Sequence, residues 1–539
     1  MERFTIDTDG PDLARKVSDA WKSITLANDA KAPHPAVMLR GDKLVRLSQD
    51  EQRVKLELYN DHSLTELLSV TASCTKTVKA GTVEIEPPMK LATYLRSRQP
   101  GDLPGALRVD RVTDVPVFGP RPDGTATVVS EPGYHADSRT YYAPAHGLGD
   151  KSLFSFEEWS DDAPLEEEYG LTQQQADVKW AKAQLGTELL SEFPWANGAS
   201  KTHALCMILE PFARALFSKH EPTPMYAVTA HQPRTGKTCL VQSCLSVPCG
   251  VVSASAYTGD ADELRKRLTA VVMEGRPVVW FDNVSGMMDS APLAAALTSP
   301  QWSDRILGTS AMADVPIRNL WVMTANNPSL SAELTRRVIP IQLESPRALD
   351  HRWKHSLPTW AFENRPTLVR AALILVANYI HGDYEGEDES GPLRSRPYIQ
   401  DVIATYPSWS RVMGGILAAA DITHFLGNLD AFSASVNVGE GELSEFIEAL
   451  AKRLNGRTVT RDELATIVDG QGESGIPGVG TPIPLPLELT AGNYKTTSER
   501  LGYRLLRPYR GAVVGGFKVV CHEGRPTRWS FESTAKEKS

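Results

Sequence analysis

The amino-acid sequence predicts an α/β fold: a parallel sheet flanked by helices, with a β-rich N-terminal region and a basic helix-plus-wing region at the C-terminus. Three observations predict it. The apolar run Met225-Tyr226-Ala227-Val228-Thr229-Ala230 leads into His231-Gln232-Pro233-Arg234-Thr235-Gly236-Lys237-Thr238 and then an apolar helical pattern. Two later apolar runs each close on polar residues, Val278-Val279-Trp280-Phe281 on Asp282-Asn283 and Leu320-Trp321-Val322-Met323 on Thr324-Ala325-Asn326-Asn327. Near the C-terminus, residues 491–530 hold eight Lys and Arg against two Glu.

The first run is a strand, a tight loop ending Gly-Lys-Thr and a helix, the layout of a phosphate-binding loop. Backbone N–H groups of such a loop point inward, and the helix N-terminus adds partial positive charge. Pro233, Arg234, Thr235, Gly236, Lys237 and Thr238 are therefore expected to cradle a nucleotide. Lys237 would reach the β- and γ-phosphates, and the Thr238 hydroxyl would hold Mg²⁺. The loop opens on His231, where Gly usually supplies freedom for a sharp turn.

The run ending in Asp282 reads as a buried central strand. Asp282 is expected beside the phosphate loop, at an adjacent strand tip, with Thr238 as the metal ligands. Asn326 ends the third strand, where an amide can hold an attacking water. Arg336 and Arg337 follow at a domain edge, where either could reach a neighbouring subunit's γ-phosphate and stabilise transition-state charge.

The order of these elements resembles the AAA+ ATPases, and most closely the superfamily 3 helicase branch of viruses, phages and plasmids, whose third motif also ends in Asn. From about residue 193 to 344 the chain is similar to the helicase part of phage and mobile-element primase–helicases. The resemblance is carried by 233–238, Phe281-Asp282-Asn283-Val284, Leu293-Ala294-Ala295-Ala296-Leu297-Thr298, Trp302-Ser303-Asp304-Arg305-Ile306-Leu307-Gly308 and Thr335-Arg336-Arg337. It implies an AAA+ core, ATP and Mg²⁺ as nucleotide and metal, single-stranded or forked DNA as partner, and a homo-oligomeric ring, a hexamer, with other replication proteins as further partners in the cytoplasm of a bacterial host. Two positions depart from the family pattern. Asn283 stands where a second acid is usual, so no general base is evident. The hairpin expected from Arg305 to Arg318 has no Lys near its tip.

The remainder of the chain bounds these readings. Its 539 residues, 41% hydrophobic and 23% charged, suit a soluble protein of three or four domains. No run of about eighteen apolar residues predicts a membrane span, and the polar start Met1-Glu2-Arg3-Phe4-Thr5-Ile6-Asp7 is unlike a signal peptide. Six cysteines without a Cys-x-x-Cys exclude a zinc ribbon or disulfide framework and fit a reducing compartment. The net charge of −9 gives no global nucleic-acid signature.

Residues 1–150 alternate short apolar segments with Gly and Pro, so strands are expected at 36–40, 43–47, 53–58, 107–110, 115–118, 125–129 and 140–142. No Asp-x-Asp falls on an expected strand, and Asp110 and Asp114 do not share a strand end, so a non-catalytic domain is expected. Residues 151–200 read as an acidic linker and a helix from Thr172, and residues 201–345 as the ATPase core. Residues 346–455 read as a helical lid, with helices at 367–376, 409–426 and 443–454. Residues 456–539 carry a helix at 497–506 and strands at 513–520 and 527–531, a winged-helix-like pattern. Arg500, Arg504, Arg507, Arg510 and Lys518 there are candidate DNA contacts through phosphate. The expected activity is an ATP-driven DNA helicase or replication ATPase. The alternatives are an initiator or loader that hydrolyses ATP without unwinding, and a nucleotide-binding scaffold without turnover.

Overall fold

The structure is a computed structural model. It describes residues 3–28, 37–49, 54–121, 125–150, 154, 172–230, 232, 234–285, 287–305, 312–326, 328–344, 353–381, 403–436, 438–471, 481–490, 494–506, 509, 513–514 and 517–533. These residues divide into two compact units: Met1–Val284 with Ser290–Asn326 and Arg337–Asn428, and Ser285–Asp289 with Asn327–Arg336 and Leu429–Ser539.

The first unit centres on a four-stranded parallel sheet. The acid strand Val278–Val284 pairs with the amide strand Leu320–Asn326, which pairs with the phosphate-loop strand Met225–Ala230, which pairs with the edge strand Val338–Leu343. All six residues of Met225–Ala230 are buried, as expected where helices cover both faces of a parallel sheet. Helix Gly198–Ala213 packs on the edge strand and on helix Lys237–Cys249, and helix Arg365–His381 packs on both helices. The strand order corrects one expectation. Asp282 does not lie on the strand next to the phosphate loop, because the amide strand is inserted between them.

His203, on helix Gly198–Ala213, locks this layer together. Its Nδ1–H donates to the Pro340 carbonyl at 2.8 Å, and its Nε2 accepts from the Leu426 amide at 3.0 Å. The ring is therefore neutral, and burial pushes its pKa down from 6.5 to about 4. The unfolded chain binds this proton first, so stability falls as pH drops from about 6.5 toward 4. Unfolding by urea should show about 2 kcal/mol less stability from this site at pH 5 than at pH 7. His203→Gln should flatten that part of the pH profile, and an unchanged slope would refute the assignment.

The N-terminal part of this unit contains the expected strands Met38–Arg40, Lys43–Gln49, Val54–Leu58, Val117–Pro120, Ala126–Val129 and Thr140–Tyr142. The segment 107–110 is not a strand; it makes a single bridge, Leu39 to Arg108. Helices Leu13–Ala27, Asp61–Thr71 and Met89–Arg96 lie among the strands. The first buries Val17, Ala20, Trp21 and Ile24, a helical i, i+3, i+4, i+7 stripe. Gly41, at φ +58°, turns the hairpin Met38–Gln49 where it meets the core. A Cβ there would lie 1.9 Å from the Asp314 carbonyl oxygen, so only glycine fits.

The second unit folds around Ile447, Leu450, Leu464, Leu501, Leu505, Val519 and Phe531. Helices Val438–Leu454 and Arg461–Val468 precede Thr497–Arg500, which continues as a wider-turned segment Leu501–Leu506. Thr460 caps the second of these helices in a reciprocal box with Glu463. The strands Phe517–His522 and Arg528–Ser533 form an antiparallel hairpin, and Val459 bridges Trp529 on its outer strand through backbone bonds of 2.9 and 2.7 Å. The run read as one strand over 513–520 is two, because Val513–Val514 folds back on Phe517–His522. In the first unit the helix expected over 409–426 ends at Ala419. Asp421, His424 and Leu426 take left-handed φ angles of 52°, 71° and 58°, which a helix cannot contain.

Candidate active site

The phosphate loop and the ends of two strands converge at one edge of the sheet. Ala230 is in register with Asn326, which brings the phosphate-loop and amide strands to a common end. Arg234 and Gly236 take φ angles of +63° and +88°. Gly236 is the N-cap residue of helix Lys237–Cys249 and brings no side chain to cap it, leaving the helix end suited to an anion. A Cβ on Gly236 would meet its nearest neighbour at 3.8 Å, so backbone angle rather than space selects glycine here. His231 and Pro233 lie outside the described residues.

Lys237 is only 8% exposed. Its ammonium donates to Asn326 Oδ1 at 2.6 Å, Thr235 Oγ1 at 3.1 Å and the Gln232 carbonyl at 3.3 Å. Burial pulls its pKa down, and the Asp282 carboxylate partly restores it. Asp282 Oδ1 accepts from Thr238 Oγ1 at 3.2 Å and from Thr324 Oγ1 at 2.6 Å. The Thr238–Asp282 bond spans the inserted amide strand. A bulge makes this reach possible: the pairing shifts register between Phe281 and Val284, and Asn283 takes φ +53°. Bulges commonly re-aim a side chain in this way. The Asn283 N–H donates to Thr324 Oγ1 at 2.7 Å.

The structure thus brings Thr235, Gly236, Lys237, Thr238, Asp282 and Asn326 together, with Arg234 exposed beside them. One carboxylate and one hydroxyl are hard oxygen donors, too few for a self-contained metal cage but suited to Mg²⁺ that also binds substrate phosphates. Among the described residues no cluster of three or more His, Cys, Asp or Glu is positioned to hold a metal.

A cavity of about 500 Å³ opens beside Gly236, lined by Pro194, Cys239, Trp353, His355 and Leu357 among others. Phe193 and Trp353 meet edge to face at 5.0 Å, and His355 stacks on Trp360 at 4.0 Å. Glu188 orients His355 through a 3.0 Å contact and is itself held in its charged form by hydrogen bonds from Lys354 and His355. The volume lies in the range of small-molecule sites, and the flat Trp353 and His355 rings sit on its wall beside polar Glu192, Arg234 and Ser356. Sequence reasoning did not find this pocket; the Trp353-to-Trp360 aromatic cluster was its only local signal.

The remaining candidates lie elsewhere. Arg337 is at the start of the edge strand, its carbonyl accepting from the Met225 N–H at 3.0 Å. In the second unit, Arg336 is exposed and its Nε donates to the Ala332 carbonyl at 3.2 Å. A hairpin forms from strands Gln301–Arg305 and Met312–Pro316, starting four residues before the expected Arg305, and residues 306–311 at its tip lie outside the described residues. Arg365, at the start of helix Arg365–His381, is a buried partner of Asp114, with two 2.9 Å bonds. Arg500 and Arg504 are half-buried on the segment 497–506, and Lys518 is exposed on the hairpin; Arg507 and Arg510 lie outside the described residues. Tyr503, 47% exposed, stacks on Tyr494 at 5.7 Å beside them.

No protein-family model and no curated protein matches this chain. Among solved structures, it is similar to the A form apo structure of the NrS-1 C terminal region over 95% of this chain and 98% of that chain, at 11% identity and a TM-score of 0.33. It is also similar to the X-ray structure of JCV helicase over 49% of this chain and 64% of that chain, at 14% identity and a TM-score of 0.24. Likeness this slight carries no functional inference. Among the described residues no helix is long and apolar enough to cross a membrane.

Proposed function

We propose that this chain is an ATP-hydrolysing motor that acts on DNA, a helicase or replication ATPase of a phage or mobile element, working as a homo-oligomeric ring. The observation that carries the reading is the meeting of Lys237, Thr238, Asp282 and Asn326 at one sheet edge. ATP would place its phosphates on the loop and on the uncapped helix end, and its base in the cavity beside Gly236 and Trp353. Lys237 would then exchange Asn326 Oδ1 for phosphate oxygens. That exchange frees the Asn326 amide to hold the attacking water in line. Thr238 and Asp282 would part to hold Mg²⁺, whose charge offsets that of the phosphates. Arg336 or Arg337 would act on a neighbouring protomer's nucleotide.

We read the helix order, the bridging Val459 segment and the hairpin of the second unit as winged-helix-like, and we assign DNA engagement to it through Arg500, Arg504 and Lys518. The test is ATP turnover with and without single-stranded DNA, beside strand displacement on a forked duplex. Turnover stimulated by DNA together with displacement is expected. Turnover without displacement would replace the helicase by an initiator or loader, and absence of turnover would leave a nucleotide-binding scaffold.

A further inference from the structure

Five arginines of the first unit line one small interior cavity, Arg276 paired with Glu274 and four others from separate segments. Arg40 ends the strand Met38–Arg40, Arg111 opens the strand Arg111–Thr113, Arg214 follows helix Gly198–Ala213, and Arg318 precedes the amide strand. Arg40 is 1% exposed and Arg214 is 8% exposed. Arg40 donates from Nη1 and Nη2 to the Asp110 and Val272 carbonyls, both at 2.8 Å, and its Nε has no partner. Arg214 donates from Nη2 to the Ile317 carbonyl at 3.1 Å, and its Nη1 has no partner. Arg318 shares that carbonyl at 3.3 Å.

The surrounding carboxylates do not balance these charges. Asp110 is shared with Arg139 at 3.8 Å. Glu210 Oε2 already accepts from Tyr226 and Trp409, each at 2.9 Å, and burial pushes its pKa up, weakening it as a counter-charge. Asp114 is committed to Arg365, and Glu274 to Arg276. Burial, with Arg318 adding to it and Asp110, Asp114 and Glu210 opposing it, pushes Arg40, Arg111 and Arg214 down to about 10, yet all remain protonated at neutral pH. Uncompensated buried charge costs several kcal/mol per ion. The cavity holds about 20 Å³, room for one water-sized particle and too little for a phosphate.

We propose that this cavity binds a single monoatomic anion of chloride size, which joins the N-terminal strands to the ATPase sheet. The inference stands apart from the nucleotide site and does not depend on ATP turnover. The anion would accept from Arg40 Nε and Arg214 Nη1, two buried donors without a partner on the residues that line the cavity.

The test is thermal unfolding of the full chain at fixed ionic strength, with sodium chloride replacing sodium gluconate. The expected result is a saturable rise of about 5 °C in the midpoint between 1 and 300 mM chloride. Bromide should reproduce it, and sulfate should not. R214M should remove the dependence. In crystals of the unaltered protein grown in bromide, an anomalous peak should lie in this cavity, a measurement that needs no variant. Equal midpoints in chloride and gluconate, or no bromide peak in the cavity, would overturn the proposal in favour of a buried water. Stabilisation by sulfate greater than by chloride would overturn the assignment to a monoatomic ion.

Discussion

Lys237→Ala should reduce ATP turnover by a factor of about 10²–10³, the cost of removing one preorganised donor from developing transition-state charge. The geometry makes Lys237 hard to replace. Its ammonium is buried, held 2.6 Å from Asn326 and within reach of the loop carbonyl and hydroxyl, so its position is fixed before substrate arrives. The next cation in the loop, Arg234, is exposed and φ-strained, and cannot move inward without rebuilding the turn. The fold should survive the substitution. Alanine leaves Asn326 Oδ1 and Thr235 Oγ1 with one partner fewer at a solvent-accessible edge, a loss of about 1 kcal/mol. Steady-state phosphate release, measured beside unfolding midpoints of both proteins, checks this. A fall of less than about tenfold in a folded variant would remove Lys237 from the chemistry and favour a scaffold.

How much of this site was legible follows from what a linear pattern contains. The phosphate-loop strand was readable to its ends because Met225–Ala230 is apolar throughout and is followed by the Gly-Lys-Thr turn. The acid and amide strands were readable for the same reason. Their order was not, since nothing in Val278–Val284 says that Leu320–Asn326 will be inserted between it and the phosphate loop. The bulge at Asn283 was equally hidden: Asn visits positive φ more often than most residues, but the continuous apolar run Val278 to Phe281 gives no sign of where the pairing will shift. Arg365 illustrates a different limit. It opens a helix of the region read as a lid, yet it bonds Asp114, 251 positions earlier. Pairings between distant segments leave no periodic trace. The helix Leu13–Ala27 did carry a trace, the Val17, Ala20, Trp21, Ile24 stripe after an Asp12 cap, but it stood in a region dominated by strand-like alternation.

Arg336→Ala should also remove turnover, by about 10³ or more, and its loss should be repairable by a second inactive protein. The sheet itself argues for action between subunits. Met225 pairs with Val338 at one end of the phosphate-loop strand, and Ala230 pairs with Leu343 at the other. Arg337 immediately precedes Val338, so it lies at the sheet edge opposite Lys237, about 17 Å away along six strand residues. That gap exceeds the reach of an arginine, so under the proposed function the Arg337 guanidinium would meet a γ-phosphate only on another copy. Arg336 is the exposed member of the pair, and Arg337 is half-buried. Arg336 is therefore the expected donor, and Arg337→Ala should act chiefly on stability. In an equimolar mixture of Lys237→Ala and Arg336→Ala proteins, about a quarter of the interfaces in a ring would combine an intact lysine with an intact arginine. The mixture should recover roughly that share of wild-type turnover, although neither protein alone is active. Failure to recover any activity, with both variants folded and assembled, would confine the arginine to its own chain and end the case for a shared site.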